Sequence, residues 1–145
     1  MSTPLSLLLV AALGGIAITV QGQLMGVMDR QLGTLESVFL TYVIGAACIA
    51  LVMLVYRGGN LGQWQQLPWW TLTAGLVGLV IVGSIGYSVS RLGVVSAFIL
   101  ITAAQFIAAA LIDQFGWFGA EVRPIDSSKL LGIGAMMLGV WLTLK

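Results

Sequence analysis

The chain has 145 residues, 59% of them hydrophobic and 8% charged, with a net charge of +1 and a mean hydropathy of +1.07. A soluble domain carries about 25% charged residues, so a water-soluble globule is excluded for want of polar surface. With no histidine and only Cys48, there is no zinc or haem ligand set, no nucleophile–base pair and no intrachain disulfide.

A near-neutral charge without a basic run excludes a nucleic-acid partner. No metal site, no cofactor and no enzymatic activity are expected. The six basic and five acidic residues leave uncharged stretches at 1–28, 37–56, 58–90, 92–112 and 130–144. A bilayer span takes roughly 17–25 apolar residues, and each stretch supplies most or all of one. The fold class expected is an all-α integral membrane protein, a single transmembrane domain over 1–145.

The first helix is expected over about 4–28, with Pro4 in a first turn where its missing N–H costs nothing. No Lys or Arg precedes its apolar run, so it reads as a retained helix and not as a signal peptide. Gly33 and Thr34 then form a turn, and the second helix covers about 35–56. Gly58, Gly59, Asn60 and Gly62 mark a loop before the third helix, about 68–90, which opens on Pro68, Trp69 and Trp70. Arg91 and Gly93 leave room only for a tight connection into the fourth helix, about 94–113. After a loop with Gly116, Gly119 and Pro124, the fifth helix covers about 128–144. The five tryptophans fall near span ends, where indole favours the membrane–water interface.

Five crossings put the termini on opposite sides. Arg57, Arg123 and Lys129 fall on the side of the N-terminus, and Arg30, Arg91 and Lys145 on the other. Orientation normally follows an excess of Lys and Arg in cytoplasmic loops, and here three face three. Either one early charge decides, or the chain inserts both ways up; the tally favours dual insertion. Many transporters join two halves of inverted topology and hold substrate at the midplane between them. Two antiparallel copies of a five-helix unit would rebuild such a machine through a self-complementary interface.

The run Gln21-Gly22-Gln23-Leu24-Met25, then Leu32-Gly33-Thr34-Leu35-Glu36-Ser37 and Ile44-Gly45, resembles the first two helices of the YdcZ-type branch of the drug/metabolite transporter superfamily. Gln105, the run Leu111-Ile112-Asp113-Gln114-Phe115-Gly116-Trp117-Phe118-Gly119, Pro124-Ile125, Leu130-Leu131-Gly132 and Gly139-Val140 extend the likeness over the whole chain. It departs at Met25, where the family often has Asn, and at Gln114, where it often has His. The resemblance implies transport, the bacterial inner membrane, and a subunit equal to half of a ten-helix inverted-repeat member. That half would be completed by antiparallel dimerisation.

An ionisable group inside a span is a functional candidate by default, and the expected boundaries leave Glu36 and Asp113. Glu36 lies in a first helical turn, where the dipole favours a carboxylate and Thr34 is a candidate N-cap. It is either a structural end group or the coupling site that takes up a proton or a cationic substrate. Asp113 lies in a last turn, where the dipole opposes it, and is read as a structural ion pair with Arg30, Arg91 or Arg123.

The expected cavity comprises Gln21, Glu36, Thr41, Tyr42, Ser84, Tyr87 and Gln105, polar groups on four helices, against the alternative that they are interhelical hydrogen-bonding glue. Gly132, Ala135, Gly139 and Thr143 form a small-residue stripe that permits close backbone approach and is assigned to the contact between two copies. Glycines 75, 78, 83 and 86 of the third helix either pack tightly or permit bending.

The function expected is a secondary transporter moving a small organic solute by alternating access, as a dual-topology homodimer. Its substrate is placed between Gln21, Glu36, Tyr87 and Gln105 of the two copies. The alternatives are a dual-topology channel and a non-transporting membrane subunit. Expected partners are the bilayer, a small-molecule substrate, and a second antiparallel copy or a paralogue.

Overall fold

The computed structural model describes residues 4–145, and they are helical with no strand among them. The α-helices are α1 (Leu5–Leu32), α2 (Thr34–Val55), α3 (Ala74–Leu92), α4 (Val94–Phe115) and α5 (Ser127–Leu144), with short 3-10 turns at Leu61–Gln66, Trp69–Thr73 and Trp117–Gly119. Taking Trp69–Thr73 with α3, all five are long and apolar enough to cross a membrane. Their large side chains are mostly exposed, as suits helices solvated by lipid. The chain divides into two compact units, Met1–Arg91 and Leu92–Lys145.

The helices end a few residues from the expected limits, α3 at Leu92 and α4 at Phe115, and the turn between α1 and α2 differs for physical reasons. α1 continues past Met28 to Leu32, carrying Asp29 into the helix because its carboxylate finds partners there. It stops at Gly33, whose φ of +104° is open to glycine and strained for other residues. Thr34 is not the N-cap of α2: Gly33 holds that position and the Thr34 hydroxyl donates to Asp29 instead. The expected loop after α2 begins with Arg57, Gly58 and Gly59, all at positive φ, and then tightens into the 3-10 turn Leu61–Gln66.

In the first unit, α1 and α2 pack together and α3 meets both through its glycines. A Cβ at Gly86 would lie 3.4 Å from Met25 Cε and 3.7 Å from Ser37 Oγ, and one at Gly83 3.5 Å from Val38 Cγ2. At Gly78 a Cβ would collide with the Tyr42 hydroxyl, whereas at Gly75 it would meet nothing within 4 Å. Three of the four α3 glycines are therefore explained by close packing. The buried residues of this unit are Gly22, Met25, Gly26 and Asp29 on α1, Ser37 on α2, and Ile85, Gly86 and Val89 on α3. All lie toward the end where α1 finishes, α2 starts and α3 finishes. At the other end Gly14, Gly15, Gly45 and Gly75 face open space.

In the second unit, α4 ends on Gly116 in the left-handed region, its N–H bonded to the Ile112 carbonyl, a common helix stop. The Gln114 side chain accepts from the Ile125 N–H at 2.6 Å, and Arg123 N–H donates to the Asp113 carbonyl at 2.8 Å, folding the connection back on the helix end. Asp126 caps α5 by accepting from the Lys129 N–H. α5 packs on α4, and the buried residues are Ala97, Ala103, Ala110 and Val140.

Apolar contact between spans releases no water, so helix association in a bilayer rests on close packing and hydrogen bonds. At Gly26 a Cβ would fall 2.6 Å from Val89 Cγ1 and 3.2 Å from its Cβ, and valine is stiff at χ1. Gly26→Leu is expected to destabilise the protein by about 1–3 kcal/mol through overpacking, whereas Gly14→Leu, in open space, should be near neutral. Unfolding midpoints in mixed detergent, followed by helical ellipticity, check the pair.

Candidate functional site

The most connected polar group of the first unit is Asp29. Three helix ends converge on it: its own, near the C-terminus of α1, the N-terminus of α2 and the C-terminus of α3. The carboxylate accepts from Thr34 Oγ1 at 2.5 Å, Ser90 Oγ at 2.6 Å and Arg91 Nη1 at 3.0 Å. The Asp29 side chain is 3% exposed while that of Arg91 is 49% exposed, so a buried anion meets a half-exposed cation. Arg91 Nη1 also donates to the Tyr87 carbonyl and to Ser90 Oγ, and its guanidinium lies 3.6 Å from the Tyr87 ring centroid. Cation–π attraction of this kind adds to the pair. Both carboxylate oxygens are engaged, Oδ1 by Thr34 and Oδ2 by Ser90 and Arg91, which is the condition for a buried charge to be tolerated.

Beyond this junction, toward the open end, lies a groove of about 430 Å³ lined by Gln21, Thr41, Tyr42, Gly45, Ala46, Ile49 and Val82. It joins three expected cavity residues from two helices. Thr41 spends its hydroxyl proton on the Ser37 carbonyl at 2.8 Å. Gln21 and Tyr42 make no side-chain hydrogen bond among the described residues. A primary amide and a phenol without partners in the middle of spans call for water, a solute or another chain.

The other expected site residues are distributed differently. Glu36 lines a separate, apolar groove of about 430 Å³ with Leu32, Leu35, Phe39 and Leu40. Its carboxylate folds back so that a Cβ at Gly33 would lie 2.8 Å from Oε2, close to the positive end of α2. Tyr87 belongs to the Asp29 junction, beneath Arg91, and Ser84 is exposed on α3. Gln105 is exposed on α4, in the second unit.

Asp113 makes no ion pair among the described residues. Arg91, one of its three expected partners, is held by Asp29, and Arg123 pairs with Glu121 at 2.9 Å on the exposed surface. The Glu121 hydrogen bond and charge, with the more distant Asp113 charge, raise the Arg123 pKa above its ordinary value.

On α5, a Cβ at Gly139 would meet Ile99 Cδ1 of α4 at 3.9 Å, and Thr143 donates to the Gly139 carbonyl. Gly139 therefore faces a neighbour within its own chain, whereas Gly132 has nothing within 4 Å and Ala135 is exposed.

Sequence reasoning missed Asp29 because it ended the first helix at Met28. A usable signal was present: Gly22, Met25, Gly26 and Asp29 repeat at helical spacing on one face, so the face that packs includes the acid. Ser90→Ala and Thr34→Val each remove a hydroxyl donor from a buried carboxylate. Each should cost about 1.5–3 kcal/mol, the range for hydrogen bonds to charged groups. Ser88→Ala, with no side-chain bond to lose, should stay within about 0.5 kcal/mol. Detergent unfolding midpoints of the three variants test this.

The family described as "Putative inner membrane exporter, YdcZ" matches residues 6–142. No curated protein and no solved structure matches the chain. The family's description indicates a transporter rather than an enzyme, and with five apolar helices it makes this a multi-pass inner membrane protein. The match spans nearly the whole sequence, and the chain belongs to the YdcZ family of inner membrane exporters.

Proposed function

We propose that the protein exports a small organic solute by alternating access, as a pair of identical chains inserted in opposite orientations. The family supports export, and the balance of positive charge carries the antiparallel pairing. Arg57, Arg123 and Lys129 oppose Arg30, Arg91 and Lys145 across an odd number of spans. Ion pairing leaves the balance intact, since Asp29 engages one cation of the second set and Glu121 one of the first. A chain without a charge bias has no strong reason to choose one orientation.

The cargo site in this reading begins at the groove of Gln21, Thr41 and Tyr42. Its walls are mostly apolar and its two free polar groups are an amide and a phenol, which suits a largely apolar solute bearing one hydrogen-bonding group. Glu36, about five residues of helical rise or roughly 7.5 Å from Thr41 along α2, is the candidate coupling acid. The packing of the first unit, closest around the Asp29 junction, supports a gate there: in this reading the junction shuts one end of the route to the groove and the other end stays open. In an antiparallel pair the two gates lie at opposite membrane faces, as inverted repeats require. Gly132 and Ala135 of α5 remain available for contact between copies, while Gly139 is engaged within the chain.

Reporter tags after Lys145 should appear on both faces of the membrane in one population of molecules. Two lysines added beside Arg57, or beside Arg91, should lock opposite orientations. Each locked form alone should fail to lower cellular uptake of amphiphilic organic solutes, and co-expression of the two should restore it. A C-terminus found on a single face in every molecule refutes the pairing.

A second test addresses the gate. The Met25 Cβ lies 3.6 Å from the position of a Cβ at Gly86, inside the range of about 3.5–4.5 Å that a disulfide spans. Met25→Cys/Gly86→Cys, with Cys48→Ser, should lose export when oxidised and recover it on reduction. Unchanged export by the cross-linked form removes the gate. Glu36→Gln should abolish the pH dependence of export; a variant that keeps it clears Glu36 of coupling.

A further inference from the structure

The connection between α2 and α3 has an order that the spans do not explain. Its 3-10 turn covers Leu61–Gln66 and closes at Leu67. Such a helix has three residues per turn, so side chains three apart eclipse. Leu61, Trp64 and Leu67 therefore share one edge, while Gln63 and Gln66 share another and Gly62 and Gln65 the third. A period of three sorts the turn into one apolar edge and two polar ones. The apolar edge is not packed against the protein: Leu61 is 60% exposed, Trp64 54% and Leu67 53%. The sequence carries no charge between Arg57 and Arg91, so no Lys or Arg holds the segment in water. Between the turn and Met53 of α2 runs a groove of about 560 Å³ lined by Leu61, Trp64 and Leu67 of the apolar edge together with the amides of Asn60, Gln63 and Gln66.

We propose that the segment 61–67 lies in the plane of the bilayer interface and seats a phospholipid. The Leu61–Trp64–Leu67 edge sinks to the level of the upper acyl chains, and the three amides hydrogen-bond the glycerol and phosphate region. The surface is continuous with the lipid-facing sides of α2 and α3, whose ends hold it at that depth. Indole favours this layer, and an amphipathic segment with an exposed apolar edge lies along it. The segment has no cation of its own, so zwitterionic lipid serves as well as anionic lipid. The inference needs only that α2 and α3 span the membrane and is independent of transport.

Single cysteines at Leu61, Gln63, Trp64, Gln65, Gln66 and Leu67, in a Cys48→Ser background, test it. The protein is reconstituted in phosphatidylcholine vesicles, with or without phosphatidylglycerol, and freeze–thawed in a membrane-impermeant maleimide so that both faces are reached. Positions 61, 64 and 67 should react several-fold more slowly than 63, 65 and 66, with the same pattern in both lipids. Equal reactivity at all six positions overturns the proposal. In a second measurement Trp64 is the sole tryptophan, the others being phenylalanine. Its emission should be blue-shifted and lose intensity to lipid brominated near the glycerol end of the acyl chains. Emission that aqueous iodide quenches places the edge in water. Emission that neither iodide nor brominated lipid quenches places it against a second copy of the chain. Either result overturns the proposal.

Discussion

The first unit is organised around one buried carboxylate. Asp29 sits where three helix ends meet, and it is held by two hydroxyls and a guanidinium contributed by α2 and α3. A lone anion in that position would be expelled or protonated. The three donors make it tolerable and in return fix the relative heights of the helices that supply them. The glycines below it follow from that constraint. Once Asp29 and Ser90 are within a hydrogen bond, α1 and α3 are too close for a side chain at Gly26, and Met25 occupies the space over Gly86.

That arrangement makes the unit asymmetric along its length. Polar cross-links and close packing are concentrated at the Asp29 end, while toward the other end the groove of Gln21 and Tyr42 opens. Bilayer energetics explain why this matters. In lipid the separation of apolar helices exposes nothing to water, so an end without interhelical hydrogen bonds is held by packing alone, here by Gly78 of α3 against Tyr42 of α2. One end is cross-linked by hydrogen bonds, and the other is held by packing only.

The two carboxylates that attract attention by position behave unlike Asp29. Glu36 turns toward the N-terminus of its own helix, where the dipole accommodates it, and borders an apolar groove. Asp113 uses its backbone carbonyl to anchor the following connection and leaves its side chain without a cation in contact. An acid near a span end can thus be a fastener, a helix-end group or a spare charge, and only its donors distinguish these roles.

The sequence by itself determined the class of the protein. Eleven charges separated by long apolar stretches admit little except five spans in a membrane, and the order and approximate limits of the helices follow from where the charges, glycines and prolines stand. Its loops also fixed the three-to-three charge balance, because that is a count along the chain. What only the tertiary structure decided was which polar residues meet. Asp29 and Arg91 lie 62 positions apart, and no local pattern states that Arg91 pairs with Asp29 instead of Asp113. Gln21, Thr41 and Tyr42 likewise share a groove through the crossing of α1 and α2, whereas Glu36 lines a separate groove and Tyr87 joins the Asp29 junction. Helical periodicity tells which residues share a face; which faces meet depends on the rotation and height of each helix against its neighbours, and these are set by side-chain contacts between segments distant in sequence.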